Sequence, residues 1–379
     1  MSAPLYLDAN ASEPLRPQAR RAVIEALDVV ANPSSVHALG RAARRVLEDS
    51  RERVAAMLGV ASSAISFTAG ATEANAIALS GAARDGRRVL ASAIEHDSVL
   101  RVVPGIETVP VTAEGTIDLA TLAAALAADP RPALVAVMAA NNETGVIQPL
   151  AEVAALCRQF GALFHVDAAQ APGRLPLREI AACGATSLVL SAHKAGGPKG
   201  AGALVLPTGW WPGALIRGGG QERGLRGGTE PLPAIVGFAA ALEAAEAWRT
   251  AGGAERVARL RRAIEQGVRQ RVPSAVIIAA HAPRLANTVC LALPGVAAAT
   301  QVMALDLAGV CVSAGSACSS GKVAESHVLR AMALGPLASS AIRVSLPWNA
   351  ADDAPARFLD TYAVVAARLA SRPVEPVRA

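Results

Sequence analysis

Only three lysines occur in the chain, Lys194, Lys199 and Lys322, although lysine and arginine together number 36. Arginine carries charge as well as lysine does, so a retained lysine points to amine chemistry. A primary amine forms a Schiff base with an aldehyde cofactor, and burial tunes it for that task. Lys194 stands in Ser191-Ala192-His193-Lys194-Ala195-Gly196-Gly197-Pro198-Lys199-Gly200, directly after the apolar run 186–190. That run reads as a strand, and open α/β sheets gather ligands at the carboxyl edge of their strands. The plainer alternative is a surface lysine in a glycine-rich turn. Upstream, a buried-strand pattern over 161–167 ends in Asp167, and Gln170 follows three residues later. Asp167 and Gln170 can face one ring, because a carboxylate holds a pyridine nitrogen protonated and a neutral amide suits a phenolic oxygen. Pyridoxal 5'-phosphate is the cofactor that these residue types describe.

Four motifs in order, Asn141-Asn142-Glu143-Thr144-Gly145, His165-Val166-Asp167-Ala168-Ala169-Gln170, Ser191-Ala192-His193-Lys194 and Gly315-Ser316-Ala317-Cys318-Ser319-Ser320, resemble the cysteine desulfurases. These belong to the aminotransferase class V group of fold-type I pyridoxal-phosphate enzymes. The resemblance covers nearly the whole chain and looks closest to the nitrogenase-type and housekeeping (NifS/IscS-like) branch. It implies conversion of L-cysteine to L-alanine with a persulfide on Cys318, the sulfur passing to an iron-sulfur scaffold or another acceptor protein. By the same resemblance His96 stacks on the ring and moves protons, and Asn142 lies near the cofactor oxygen and the substrate. Arg343 clamps the substrate carboxylate. Ser191, His193 and Thr229 contact the phosphate, Thr229 reaching it from the partner chain of a homodimer. The alternatives are a lyase acting on selenocysteine or cysteine sulfinate, and a class V aminotransferase. His96 also reads as a helix cap, and Arg343 as an ordinary arginine.

Cys318 has an argument of its own. The five cysteines are an odd set without metal-ligand spacing, which speaks against both a disulfide framework and a permanent metal site. Cys157, Cys183, Cys290 and Cys311 sit in apolar or helical runs and read as small core residues. Cys318 lies in a run of small residues that neither a helix nor a strand pattern claims, and a sulfur-carrying thiol needs a pliant loop of this kind, about 313–323. Through its persulfide, Cys318 could also be a transient iron-sulfur ligand.

Elements must bring these residues together. The strand 64–68 runs into Ala69-Gly70-Ala71-Thr72 and a helix to about residue 83. Ala71 and Thr72 therefore lie at a helix N-terminus, where unpaired amides and the dipole favour a phosphate. Helical spacing covers 18–30, 39–58, 232–248, 255–271 and 354–369, with further strands at 88–93, 133–138, 202–206, 275–278 and 288–293. His37, between the first two helices, reads as turn and cap chemistry and receives no catalytic role. The fold class is α/β, a fold-type I transferase in which the resemblance implies a mostly parallel sheet of seven-stranded type. A large domain spans 13–251, and a smaller α+β domain combines 1–12 with 252–379.

With 52% hydrophobic residues the core is ample, and with 3% aromatics it must be packed by small aliphatic side chains. The net charge of +5 is spread without a basic-aromatic stripe, so direct nucleic-acid binding is not expected. Neither a membrane span nor a signal peptide is legible, and a cytoplasmic location is the expectation.

Overall fold

The computed structural model describes residues 3–315 and 325–370. Cys318 and most of the expected loop 313–323 lie outside the described residues. The strands in chain order begin with β1 (Leu5–Tyr6), β2 (Ile65–Thr68), β3 (Arg88–Ser92), β4 (Glu107–Val109), β5 (Ala133–Met138) and β6 (Leu163–Asp167). They continue with β7 (Ser187–Ser191), β8 (Gly202–Val205), β9 (Val276–Ile277), β10 (Thr288–Ala292), β11 (Val310–Cys311) and β12 (Ala341–Ser345). Seven of them form the main sheet, in the order β2-β8-β7-β6-β5-β3-β4. Only β8 runs against the rest, pairing antiparallel with β2 and β7, while β7, β6, β5, β3 and β4 are parallel.

Both faces of this sheet are covered, which is why its strands read as unbroken apolar runs such as Ala133–Met138. Alternation along each strand sends Val135, Val137, Val166 and Leu190 into one cluster, and Leu134, Ala136 and Val189 into another. The second cluster also holds Ala74, Ile77 and Ala78 of the helix Ala71–Arg84. His165 and Asp167 follow Leu163 at period two and so share the face that this helix covers.

The helix Ala38–Leu58 starts where His37 Nδ1 accepts from the amide of Gly40 and ends at Gly59, left-handed at φ 70°, a conformation that glycine takes without steric cost. Cap chemistry at His37 is thus what the structure shows. The first long helix is shorter than the apolar spacing suggests. It spans Pro17–Ala26, leaving Leu27 and Val30 exposed.

A second body carries the antiparallel sheet β12-β10-β9, with β1 beside β11 in a parallel pair. Its core joins Leu5 and Leu7 to Leu291, Ile342, Phe358 and Tyr362, so residues near the start of the chain pack with residues near its end. Between the bodies, the Arg16 guanidinium lies 5.4 Å from the Trp248 ring and 4.9 Å from that of Trp348. Arg16 Nε also donates to the carbonyl of Ala195, next to Lys194, at 2.9 Å. No helix among the described residues is long and apolar enough to cross a membrane.

Candidate active site

The carboxyl ends of β6 and β7 open onto a cavity of about 750 Å³, within the range of small-ligand sites. Asp167 is the last residue of β6. Its Oδ2 accepts from Asn75 Nδ2 at 2.8 Å and its Oδ1 from the amide of Ala169 at 2.9 Å. Ser191 ends β7, and a single 3-10 turn, Ala192–Lys194, then brings His193 and Lys194 to the rim. Lys194 Nζ donates to the carbonyls of Asn10 and Ala11, at 2.5 and 3.1 Å. Burial, with the charges of Lys194 and Lys199 adding to it, lowers the His193 imidazole to about 4, and its buried Nδ1 has no partner among the described residues.

On the opposite wall, β2 turns into the helix Ala71–Arg84 through Gly70, whose φ of 156° and ψ of −178° belong to glycine. No side chain among the described residues caps this helix start, so the first amides of Ala71 and Thr72 are left for a ligand. The backbone runs close here. A Cβ on Gly202 would lie 2.7 Å from Gly70 Cα, so a small residue in β8 is what lets the cradle form. Glu73 takes the amide of Ala69 on Oε2 and Arg226 Nε on Oε1, at 2.5 and 3.0 Å, which shapes the turn from behind.

His96 stands both at a helix start and at the cavity wall. It caps the short helix Asp97–Leu100, its Nδ1 accepting from the amide of Ser98 at 3.1 Å, and it also lines the cavity. Asn142 lines the cavity too. Gln170 is buried in the wall, with Nε2 donating to the carbonyl of Asn10 at 3.0 Å and Oε1 accepting from Arg174. Arg343, in the middle of β12, reaches in from the second body. Its Nη2 pairs with Asp8 at 2.6 Å, its Nη1 donates to the carbonyl of Asn142 at 3.1 Å, and its buried Nε has no partner among the described residues.

Thus Ala71, Thr72, His96, Asn142, Asp167, Gln170, Ser191, His193, Lys194 and Arg343 all line one cavity. Thr229 does not. It is exposed, and its Oγ1 accepts from Asn32 Nδ2 at 3.3 Å. Cys318 lies outside the described residues; the nearest described stretches before and after it are tied near the site. Ser313 exchanges backbone hydrogen bonds with Arg343, and Ser326 Oγ donates to the buried Glu143 at 2.6 Å.

Sequence reasoning missed three contributors. Asn10 supplies one backbone carbonyl that accepts from both Lys194 and Gln170, and no motif marks it. Asn75 and His165 lie behind Asp167. Their signals were present, since Asn75 is one helical turn beyond Ala71 and His165 is at period two from Asp167.

A planar ring with a phosphate suits this donor set: an amine and a carboxylate at neighbouring strand ends, a helix start for an anion, and a histidine to flank the ring. Comparison with known proteins bears on what that ring is. The model of the aminotransferase class-V family matches residues 5–353. A cysteine desulfurase of Cereibacter sphaeroides is 43% identical over 362 residues, spanning 92% of this chain and 92% of that protein. Another, from Enterobacter agglomerans, is 39% identical and spans 90% of this chain and 87% of its own length. Among solved structures, the NifS-like protein of Rickettsia africae superposes with a TM-score of 0.87 at 32% identity, covering 96% of this chain and 99% of its own.

Proposed function

Because the chain belongs to the aminotransferase class-V family and, within it, to the cysteine desulfurases, we propose that the cavity holds pyridoxal 5'-phosphate on Lys194 and converts L-cysteine to L-alanine, with Cys318 as sulfur acceptor. The observation that carries this reading is the convergence of Lys194, Asp167 and Arg343 on one cavity from β7, β6 and β12. When bound, the cofactor supplies an electron sink for the carbon next to the substrate's amino group.

The chain's own groups do the rest. Asp167 keeps the proton on the ring nitrogen, Gln170 and Asn142 face the ring oxygen, and His96 offers a flat face for stacking. Ala71, Thr72, Ser191 and His193 bind the phosphate. Arg343, which lines the cavity, orients the substrate carboxylate through its guanidinium. Lys194 Nζ takes the α-proton. The Cys318 thiolate then attacks the substrate sulfur: a sulfur–sulfur bond forms, the carbon–sulfur bond breaks with its electron pair going to carbon, and protonation releases alanine.

Thr229, exposed and apart from this chain's cavity, serves the phosphate of a second copy in a homodimer. Exposed Ile24, Leu27, Val30, Val36 and Leu39, in the stretch around its partner Asn32, support such an interface. Separate apolar clusters around the two sheets support domains of 13–251 and of 1–12 with 252–379, divided near Gly252. The persulfide passes to an iron-sulfur scaffold or another sulfur-acceptor protein. A cytoplasmic location accords with free thiols at Cys157, Cys183, Cys290 and Cys311.

The test is alanine released from L-cysteine with a thiol reductant present, the parent against Cys318→Ala at equal cofactor loading. Alanine from the parent alone supports the reading. Equal alanine from both removes Cys318 and points to a lyase.

A further inference from the structure

We infer that Asn75 is a positioning residue which fixes both the Asp167 carboxylate and the proton on His96, through two hydrogen bonds from one amide. The inference rests on the cofactor reading above and names residues that reading does not use. Asn75 is fully buried on the helix Ala71–Arg84, and both its amide protons and its carbonyl oxygen are engaged around this site. Nδ2 donates to Asp167 Oδ2 at 2.8 Å and to Ser98 Oγ at 2.9 Å, and Oδ1 lies 2.9 Å from His165 Nε2.

The direction of every hydrogen bond follows from one fact, that a carboxylate only accepts. The amide nitrogen of Asn75 must face Asp167, since the flipped amide would set two oxygens against each other. Oδ1 therefore faces His165, whose Nε2 must carry the proton. His165 Nδ1 then accepts from the hydroxyl of Ser187, at 2.8 Å. Burial, opposed by the Asp167 charge, keeps this imidazole in its neutral form. So His165 and Ser187 lock the amide of Asn75 one way round.

On the other side, Ser98 Oγ accepts from Asn75 and has its own proton to give to His96 Nδ1, at 2.9 Å. The amide of Ser98 donates to the same nitrogen. Nδ1 of His96 is thus an acceptor, and neutral His96 bears its proton on Nε2, the one ring nitrogen left for the cavity. In that form His96 gives a proton to the reacting centre before it can take one.

Two experiments on the full chain loaded with pyridoxal 5'-phosphate test this. Long-range proton–nitrogen NMR on histidine-labelled protein reads the tautomers directly, without any variant needing to fold. Nε2–H on both His165 and His96 is expected, and Nδ1–H on either overturns the inference. Kinetics and absorbance then compare Asn75→Ala with His165→Gln, whose amide can still donate to Asn75. Asn75→Ala should lower kcat about tenfold, leave KM within about twofold, and shift the visible band of the bound cofactor. His165→Gln should stay within about threefold of the parent, because the amide of Asn75 remains locked. An Asn75→Ala protein with unchanged kcat and spectrum overturns the positioning role alone. A parent that binds no pyridoxal phosphate overturns the cofactor reading and this inference with it.

Discussion

Glu222 is held where a glutamate would not go unaided, and removing its side chain should cost the protein several kcal/mol. Its backbone is left-handed, at φ 47° and ψ 40°, and Arg223 follows at φ 58°. Such backbone costs on the order of 1 kcal/mol per residue, so something must hold it. That something is Arg51, 171 positions away, whose Nη1 and Nη2 meet the two carboxylate oxygens at 2.7 and 3.0 Å. The amide of Phe67 in β2 adds a third hydrogen bond at 2.8 Å. Both side chains are almost wholly buried, at 4% and 1% exposure, so solvent screens the pair little. Glu222→Ala leaves a buried guanidinium and a backbone amide without their partner, and it keeps the strain because alanine also has a Cβ. Breaking a buried pair costs roughly 3–5 kcal/mol. Arg51 retains Glu48 at 3.0 Å, which places the loss near the lower end, about 3 kcal/mol. The double variant Arg51→Met with Glu222→Leu removes both charges and should recover all but about 1–2 kcal/mol. Urea unfolding at one fixed protein concentration measures this. A loss below about 1 kcal/mol for Glu222→Ala, or a double variant no better than the single, would refute the anchoring argument.

Glu95, buried beside the site, is held well above the ordinary 4.5 by burial, with the Asp167 charge adding to it. The unfolded chain ionises Glu95 near that value while the folded protein stays protonated, so stability falls as pH rises. Glu95→Gln should therefore outlast the parent in denaturant by a margin growing by about 1.4 kcal/mol per pH unit from pH 4.5 upward, until the folded group itself ionises. A margin independent of pH between 5 and 7 would contradict it. Gly202→Ala should fold yet hold pyridoxal phosphate about tenfold or more weakly in a fluorescence titration, because its Cβ would press on Gly70 at 2.7 Å. Unchanged affinity would show that the cradle does not depend on this close approach.

What the sequence made legible has a physical pattern. Asp167 stood out because parallel strands buried on both faces read as apolar runs, and a polar residue at the end of such a run is conspicuous, while Lys194 stood out as one of three lysines, a few residues past such a run. Ala71 and Thr72 were legible for a similar local reason, a strand running into a helix start. Asn75 and His165 had the right spacing but no sign of their partners, since a polar residue inside an apolar stretch looks alike whether it bonds to its own helix or to a residue 92 positions away. The same distance problem hid the pair of Arg51 and Glu222. Apolar spacing also overran the first helix. Leu27 and Val30 continue the pattern but are 65% and 87% exposed, and periodicity does not distinguish a face packed in one chain from a face left bare. Thr229 could be flagged only through the resemblance, because among the described residues its side chain meets only Asn32, by one hydrogen bond.

The central claim is that Lys194 carries the aldehyde cofactor. It is tested most directly by reducing the loaded protein with sodium borohydride, digesting it, and locating the pyridoxyl-phosphate label by mass spectrometry. The label on Lys194, and on neither Lys199 nor Lys322, is the predicted result. A label on another lysine, or none on a protein whose cofactor absorbance was present before reduction, would contradict the account.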